Sequence, residues 1–134
     1  LSVVVASNLN ADILSDLGSA LAGSLGLAAS ANLNPERRFP SMFEPVHGSA
    51  PDIAGQEISN PIGAIASAAL MLDQFGLSDQ ARRLEAAIEA TTGAGHLTRD
   101  IGGTSSTDEV TQAIIEALAS AQPKPEADAA YETV

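Results

Sequence analysis

A segment near the middle of the chain, residues 43–55, limits most strongly what this sequence can fold into. It reads Phe-Glu-Pro-Val-His-Gly-Ser-Ala-Pro-Asp-Ile-Ala-Gly and has neither the period of a helix nor the alternation of a strand. Its prolines, glycines, histidine and two carboxylates predict a surface loop that holds polar groups against a ligand rather than filling a core. An apolar helix is predicted directly after it, with Asn60 as its cap and Pro61 in its first turn.

Helical patterns dominate the rest of the chain. Helices are predicted from about residue 11 with Asn10 as the cap, over residues 62–72, from residue 78 or 79, and after residue 106. The helix over residues 62–72 is apolar nearly all round and is expected to be buried. Ser106 and Glu109 have the spacing of a capping box, which marks the start of the last helix.

Strand candidates are few. Strands are predicted at residues 2–6 and 96–101, and residues 28–40 are expected to be irregular. Two strands cannot complete a sheet by themselves, so the pattern predicts part of a larger α/β protein. The chain also starts without Met, which favours the later part of a longer polypeptide.

Composition excludes several classes of protein. The 134 residues are 45% hydrophobic but only 3% aromatic, so the core must consist of Ala, Leu, Ile and Val. Without cysteine, disulfides and thiolate metal sites are excluded, and a cytoplasmic location is expected. The net charge of −11 argues against nucleic acid, and no apolar run approaches the ~20 residues of a membrane span. The acidic, proline-containing tail, residues 122–134, is expected to be disordered.

Asp12 and Asp16 lie four residues apart, so a helix presents both on one face. Two such carboxylates suit Mg²⁺ or Mn²⁺, which prefer oxygen ligands. Acidic residues in a first helical turn also offset the helix macrodipole, so spacing alone leaves both interpretations open.

The segment that contains these aspartates, Asn-Leu-Asn-Ala-Asp-Ile-Leu-Ser-Asp at residues 8–16, resembles a metal-binding motif of the isocitrate/isopropylmalate dehydrogenase family. These enzymes are metal-dependent β-decarboxylating dehydrogenases. The resemblance implies that Asp12 and Asp16 bind Mg²⁺ or Mn²⁺, with a further aspartate supplied by a partner subunit. Asn10-Ala11 stands where Phe-Gly is usual, so the turn before the ligands is expected to differ.

The central loop resembles the adenosine-binding loop of the same family, which implies a set of cofactor-binding residues. By their type alone, His47 would be packed or solvent-facing, Asp52 a turn residue and Asn60 a helix cap. By resemblance, His47 and Gly48 would contact the adenosine and Asn60 the adenine edge. The full implied set is Glu44, His47, Gly48, Ser49, Ala50, Asp52, Ile53 and Asn60.

Asp52 indicates which cofactor the loop would accept. A carboxylate accepts hydrogen bonds from a ribose diol but repels a 2′-phosphate. NADP-using relatives carry Lys-Tyr where this chain has Asp52-Ile53. The implied cofactor is therefore NAD.

The resemblance implies an α/β fold, the C-terminal portion of an isopropylmalate-dehydrogenase-like fold, helix-rich with few strands. Residues 1–30 would end the substrate and dimerisation domain, and residues 31–121 would form the C-terminal half of the nucleotide-binding domain. The implied reaction is oxidation of a 2-hydroxy diacid such as D-malate or tartrate, with or without decarboxylation, by a homodimer. Residues 30–36 resemble the tartrate and D-malate branch more than the isopropylmalate branch.

No catalytic residue of the implied reaction is expected in this chain. The only lysine and tyrosine, Lys124 and Tyr131, lie in the predicted tail and match no family position. The chain alone is therefore expected to show no turnover. An isopropylmalate dehydrogenase, a non-catalytic nucleotide-binding fragment and a structural remnant remain alternatives.

Overall fold

The computed structural model describes residues 3–120, which form a helical layer on a small sheet. The α-helices are α1 (Asn8–Ala22), α2 (Ile62–Gln74), α3 (Ser78–Gly93) and α4 (Thr107–Ser120), and the strands are β1 (Ala29–Asn32) and β2 (Met42–Pro45). Short 3-10 helices lie at Leu25–Leu27, Pro51–Ile53 and Arg99–Ile101. The helix-rich character with few strands was predicted correctly.

The two strands pair antiparallel, with Ala29 opposite Pro45 and Asn32 opposite Met42. Helix α2 packs on both strands and on α3, while α4 packs on α3. The start of α2 lies directly against the segment before β1, where a Cβ on Gly63 would be 2.9 Å from the Gly26 carbonyl oxygen. This close approach explains why the first turn of α2 has a glycine.

The core lies between α2, α3 and α4 and consists of small aliphatic side chains, as the composition predicted. Ile62, Ala87, Val110 and Ile114 form the buried cluster. Partly buried aliphatic residues surround it, namely Leu27, Ile65, Leu84, Ile88, Ile101, Ala117 and Leu118. The expectation that the apolar helix over residues 62–72 is buried is correct for the face that packs on this core.

Helix α4 begins with the predicted capping box. The Ser106 hydroxyl accepts a hydrogen bond from the Glu109 N–H at 3.1 Å, and the Glu109 carboxylate accepts one from the Ser106 N–H at 2.8 Å. The next residue is also fixed, because the Thr107 N–H donates to the Glu57 carbonyl at 2.8 Å and its hydroxyl donates to the Ser59 carbonyl at 2.6 Å. The start of α4 is therefore joined to the loop before α2.

Both predicted strands are wrong. Residues 3–7 are exposed and have no regular structure, since their run of valines has no strand to pair with among residues 3–120. Residues 96–101 contain a 3-10 turn, because the Thr98 carbonyl accepts hydrogen bonds from the N–H groups of Ile101 and Gly103. The observed strands instead lie inside residues 28–40, which were expected to be irregular, and at the start of the central loop.

The start of α1 also differs from the prediction. The helix begins at Asn8, and Ser7 rather than Asn10 occupies the cap position, with its carbonyl accepting the Ala11 N–H at 2.8 Å. It ends at Gly23, which has a φ of 125° that favours glycine. The large apolar residues of α1 are exposed, as shown by Ile13 at 58% and Leu21 at 82%.

Within residues 3–120, no helix has both the length and the apolar character needed to cross a bilayer. The predicted disorder of residues 122–134 concerns a segment outside the described residues, and Lys124 and Tyr131 lie in that segment.

Candidate functional site

A cavity of about 790 Å³ lies between the turn at residues 24–26 and the loop at residues 47–60. Its size is within the range typical of small-molecule and cofactor sites. The 3-10 turn at Arg99–Ile101 contributes Asp100 to its lining, and the first turn of α4 contributes Thr107 and Asp108. Segments distant in sequence therefore meet around one concave surface.

Most of the predicted cofactor-binding residues meet at this cavity. Six of them line it, namely His47, Gly48, Ser49, Ala50, Ile53 and Asn60. The other two, Glu44 in β2 and Asp52 in the Pro51–Ile53 turn, are exposed and are not among the lining residues. The fold therefore brings six of the eight predicted residues to one surface but leaves the two predicted carboxylates, Glu44 and Asp52, outside the lining.

The loop has a fixed and locally strained backbone. Ala50 lies in the left-handed region, at φ 40° and ψ 62°, and its carbonyl accepts the Ile53 N–H at 3.1 Å. A non-glycine residue in this region costs about 1–2 kcal/mol, a strain that is common at binding loops. His47 Nδ1 lies 2.9 Å from the Gly48 carbonyl oxygen, and because a carbonyl oxygen only accepts, Nδ1 is the donor in this contact.

Asn60 is the most buried of the predicted site residues, at 7% exposure. Its Oδ1 accepts the Ile62 N–H, the first N–H of α2, at 3.0 Å, although Pro61 rather than Asn60 occupies the cap position. Its Nδ2 donates to Oδ2 of Asp100, also at 3.0 Å. One N–H and one lone pair of the amide remain for other contacts.

Asp100 is a site residue that the sequence pattern did not reveal. Its carboxylate accepts hydrogen bonds from the Ser24 hydroxyl, from the Asn60 amide and from the Thr98 hydroxyl, the last at 2.5 Å. A threonine two residues before an aspartate, followed by Gly102-Gly103, is a turn signature that could have replaced the wrong strand prediction.

The environment of Asp100 favours the ionised carboxylate. Burial raises the pKa of the carboxyl, but hydrogen bonds from Ser24, Thr98, Asn60 and its own backbone together lower it below its usual value. A lowered pKa in the folded state stabilises the fold at neutral pH. That stabilisation is present above the pKa of the unfolded chain and is lost as the pH falls through the folded-state pKa.

The predicted metal ligands are not among the lining residues of this cavity. Asp12 and Asp16 are exposed residues of α1, one helical turn apart. Within residues 3–120, no cluster of three or more His, Cys, Asp or Glu side chains could hold a metal ion. A carboxylate pair with water still suits Mg²⁺, which binds proteins through one or two carboxylates.

Comparison with known proteins defines the family. A family model described as isocitrate/isopropylmalate dehydrogenase matches residues 1–115. This chain belongs to the isocitrate/isopropylmalate dehydrogenase family. The tartrate dehydrogenase/decarboxylase of Pseudomonas putida is 57% identical over 122 residues, covering 87% of this chain and 33% of that protein. The decarboxylating D-malate dehydrogenase of Escherichia coli is 55% identical over 117 residues, covering 84% of this chain and 32% of that protein.

Solved structures of the family agree with the fold. The crystal structure of isocitrate dehydrogenase from Methylococcus capsulatus aligns with a TM-score of 0.77 at 43% identity, over 83% of this chain and 33% of that one. A β-decarboxylating dehydrogenase from Thermococcus kodakarensis gives 0.74 at 46% identity, over 84% and 32%. The resemblance and fold class inferred from the sequence are therefore confirmed. The chain spans about a third of the length of the curated relatives it matches.

Proposed function

We propose that this chain supplies the adenosine-binding cavity and two metal-ligating aspartates of an NAD-dependent dehydrogenase. The substrate would be a 2-hydroxy diacid such as D-malate or tartrate, oxidised with or without decarboxylation by a cytoplasmic homodimer. The observation that carries this proposal is the meeting of six predicted loop residues at one cavity of cofactor size. The names of the relatives support the dehydrogenase class and the choice of diacid.

The cavity residues would hold and orient the adenosine half of the cofactor. The backbone from His47 to Ala50 would form one wall and Asn60 the other. In the proposed domain division, residues 1–30 end the substrate domain and residues 31–121 belong to the nucleotide domain. The cavity would then lie at their boundary, because the turn at residues 24–26 contributes to it.

Asp52 would select NAD at the edge of the cavity. It lies beside Ile53, which lines the cavity, and its carboxylate is exposed. From this position it could accept hydrogen bonds from a ribose diol, while a 2′-phosphate would be repelled.

Nucleotide binding tests this role directly. We expect NAD⁺ to bind the purified protein at least about tenfold more tightly than NADP⁺ in titration calorimetry, since a lost charge-assisted hydrogen bond costs ~1.5–3 kcal/mol. Asp52→Asn should weaken NAD⁺ binding and reduce this preference. Glu85→Gln is the matched control, because it removes one charge from an exposed position of α3. Tighter binding of NADP⁺ would refute the assignment.

Asp12 and Asp16 would hold the divalent ion on the exposed face of α1. When bound, such an ion would supply Lewis-acid chemistry at the hydroxyl of the substrate, and the nicotinamide would supply a hydride acceptor. The two carboxylates of this chain would fix the position of the ion relative to α1.

Mn²⁺ binding tests the aspartate pair without requiring turnover. The double variant Asp12→Asn/Asp16→Asn should weaken Mn²⁺ affinity by about tenfold or more, measured by electron paramagnetic resonance of the free ion. The double variant Glu85→Gln/Glu89→Gln removes carboxylates at the same spacing from an exposed helix and should leave affinity unchanged. Equal effects of the two double variants would contradict the assignment.

A further inference from the structure

One oxygen atom of Asp100 joins the two walls of the cavity. Its Oδ2 accepts the Ser24 hydroxyl from one wall and the Asn60 amide from the other, at 3.0 Å for the amide. The Ser24 oxygen in turn accepts the Gly26 N–H at 2.9 Å, and the Asn60 oxygen accepts the Ile62 N–H at 3.0 Å. A continuous chain of hydrogen bonds therefore runs from the 24–26 turn through Asp100 to the start of α2.

The packing around Gly26 leaves no space for a side chain at that position. A Cβ on Gly26 would lie 2.8 Å from the Asn60 Cβ and 2.8 Å from Oδ2 of Asp100, so only glycine fits there. Asp100 itself is held by the hydroxyl of Thr98, a residue with 0% exposure. The buried Thr98 hydroxyl thus fixes the Asp100 carboxylate independently of the contacts that the carboxylate makes with the two walls.

Asp100 also determines which way the Asn60 amide points. The Ile62 N–H requires the amide oxygen, and an ionised carboxylate, which only accepts, requires the amide nitrogen. Both partners select the same orientation. Burial raises the pKa of the Asp100 carboxyl, but its hydrogen bonds lower that pKa by more than burial raises it. The carboxylate is therefore ionised at neutral pH.

We propose that Asp100 is a positioning residue of the nucleotide cavity, which acts through Asn60 and Ser24 to set the amide orientation and the separation of the two walls. The inference deepens the proposed function and rests on it. It assigns a role in cofactor affinity to a residue of the turn before α4, outside the adenosine-binding loop.

Three variants separate this role from a simple effect of charge. Asp100→Ala removes the shared acceptor and should weaken NAD⁺ binding by about tenfold. Asp100→Asn keeps an oxygen that can accept from Asn60 and should restore affinity to within about threefold of the original protein. Glu85→Ala is the control, because it removes one carboxylate from an exposed position of α3 outside the cavity lining and should leave NAD⁺ binding unchanged.

A second measurement reports on Asn60 itself. The side-chain amide of Asn60, followed by nitrogen-15 NMR, should lose its hydrogen-bonded proton shift in Asp100→Ala and keep it in Glu85→Ala. Should Asp100→Ala fail to fold, Ser24→Ala removes one arm of the chain and should still weaken NAD⁺ binding severalfold.

The outcomes distinguish this inference from the proposed function. An original protein that does not bind NAD⁺ would overturn both. An original protein that binds NAD⁺, with Asp100→Ala equal to it or with Asp100→Asn as weak as Asp100→Ala, would overturn only the positioning role.

Discussion

Replacing Gly103 with alanine should lower the free energy of unfolding by about 3 kcal/mol, near the upper end of the cost of overpacking. The added Cβ would overlap the carbonyl group of Leu97, which is backbone and cannot rotate away. Gly103 does not have a positive φ, so the cause is the clash rather than backbone conformation. The turn would have to open, which would break the hydrogen bond of 2.9 Å from the Gly103 N–H to the Thr98 carbonyl.

Urea denaturation followed by circular dichroism measures this loss. Gly93→Ala is the matched control, because Gly93 is the last residue of α3 and a Cβ there meets nothing within 4 Å. That change should be neutral or stabilising by up to about 1 kcal/mol. The close packing of this turn would be contradicted if both substitutions left the urea midpoint unchanged. Since the turn carries Asp100, we also expect Gly103→Ala to weaken NAD⁺ binding.

Replacing Ile114 with alanine should also cost about 2–5 kcal/mol of unfolding free energy. Ile114 is 2% exposed and packs in the buried cluster with Ile62, Ala87 and Val110. The change removes three carbon atoms from a core of small side chains. Because no aromatic residue belongs to that cluster, the neighbouring side chains are too small to fill the space that the substitution leaves.

The adjacent residue provides the control for this prediction. Ile115 is 54% exposed, so Ile115→Ala should change stability by no more than about 0.5 kcal/mol. Both variants make the same chemical change in the same turn of α4, so a difference in helix propensity cannot explain a difference between them. Similar urea midpoints for the two variants would show that α4 does not pack as described.

The elements that could be predicted from the sequence are those determined by local signals. Ser106 and Glu109 predicted the start of α4 because their capping bonds are made within one turn. The strands could not be predicted, because strand pairing depends on distant residues. Ala-Ser-Ala-Asn at residues 29–32 has no β-branched residue but becomes a strand where β2 and α2 cover it, whereas the valines at residues 3–5 have no partner among the described residues.

The same distinction applies to the site. The loop residues from His47 to Ala50 were recognisable because they are consecutive and belong to a family motif. Asp100 was missed because its partners Asn60 and Ser24 lie 40 and 76 residues away in the chain. No local pattern records such contacts, and only the fold brings these three residues together.

The attachment of Thr107 to the loop before α2 has a consequence for motion. Its N–H and hydroxyl bond to the Glu57 and Ser59 carbonyls, which border the cavity. Fraying of the first turn of α4 must therefore release this part of the cavity wall, and loosening of the wall must release the helix. We therefore expect α4 and the cavity to open as one cooperative unit, whose amide protons exchange with solvent through a shared opening rather than separately.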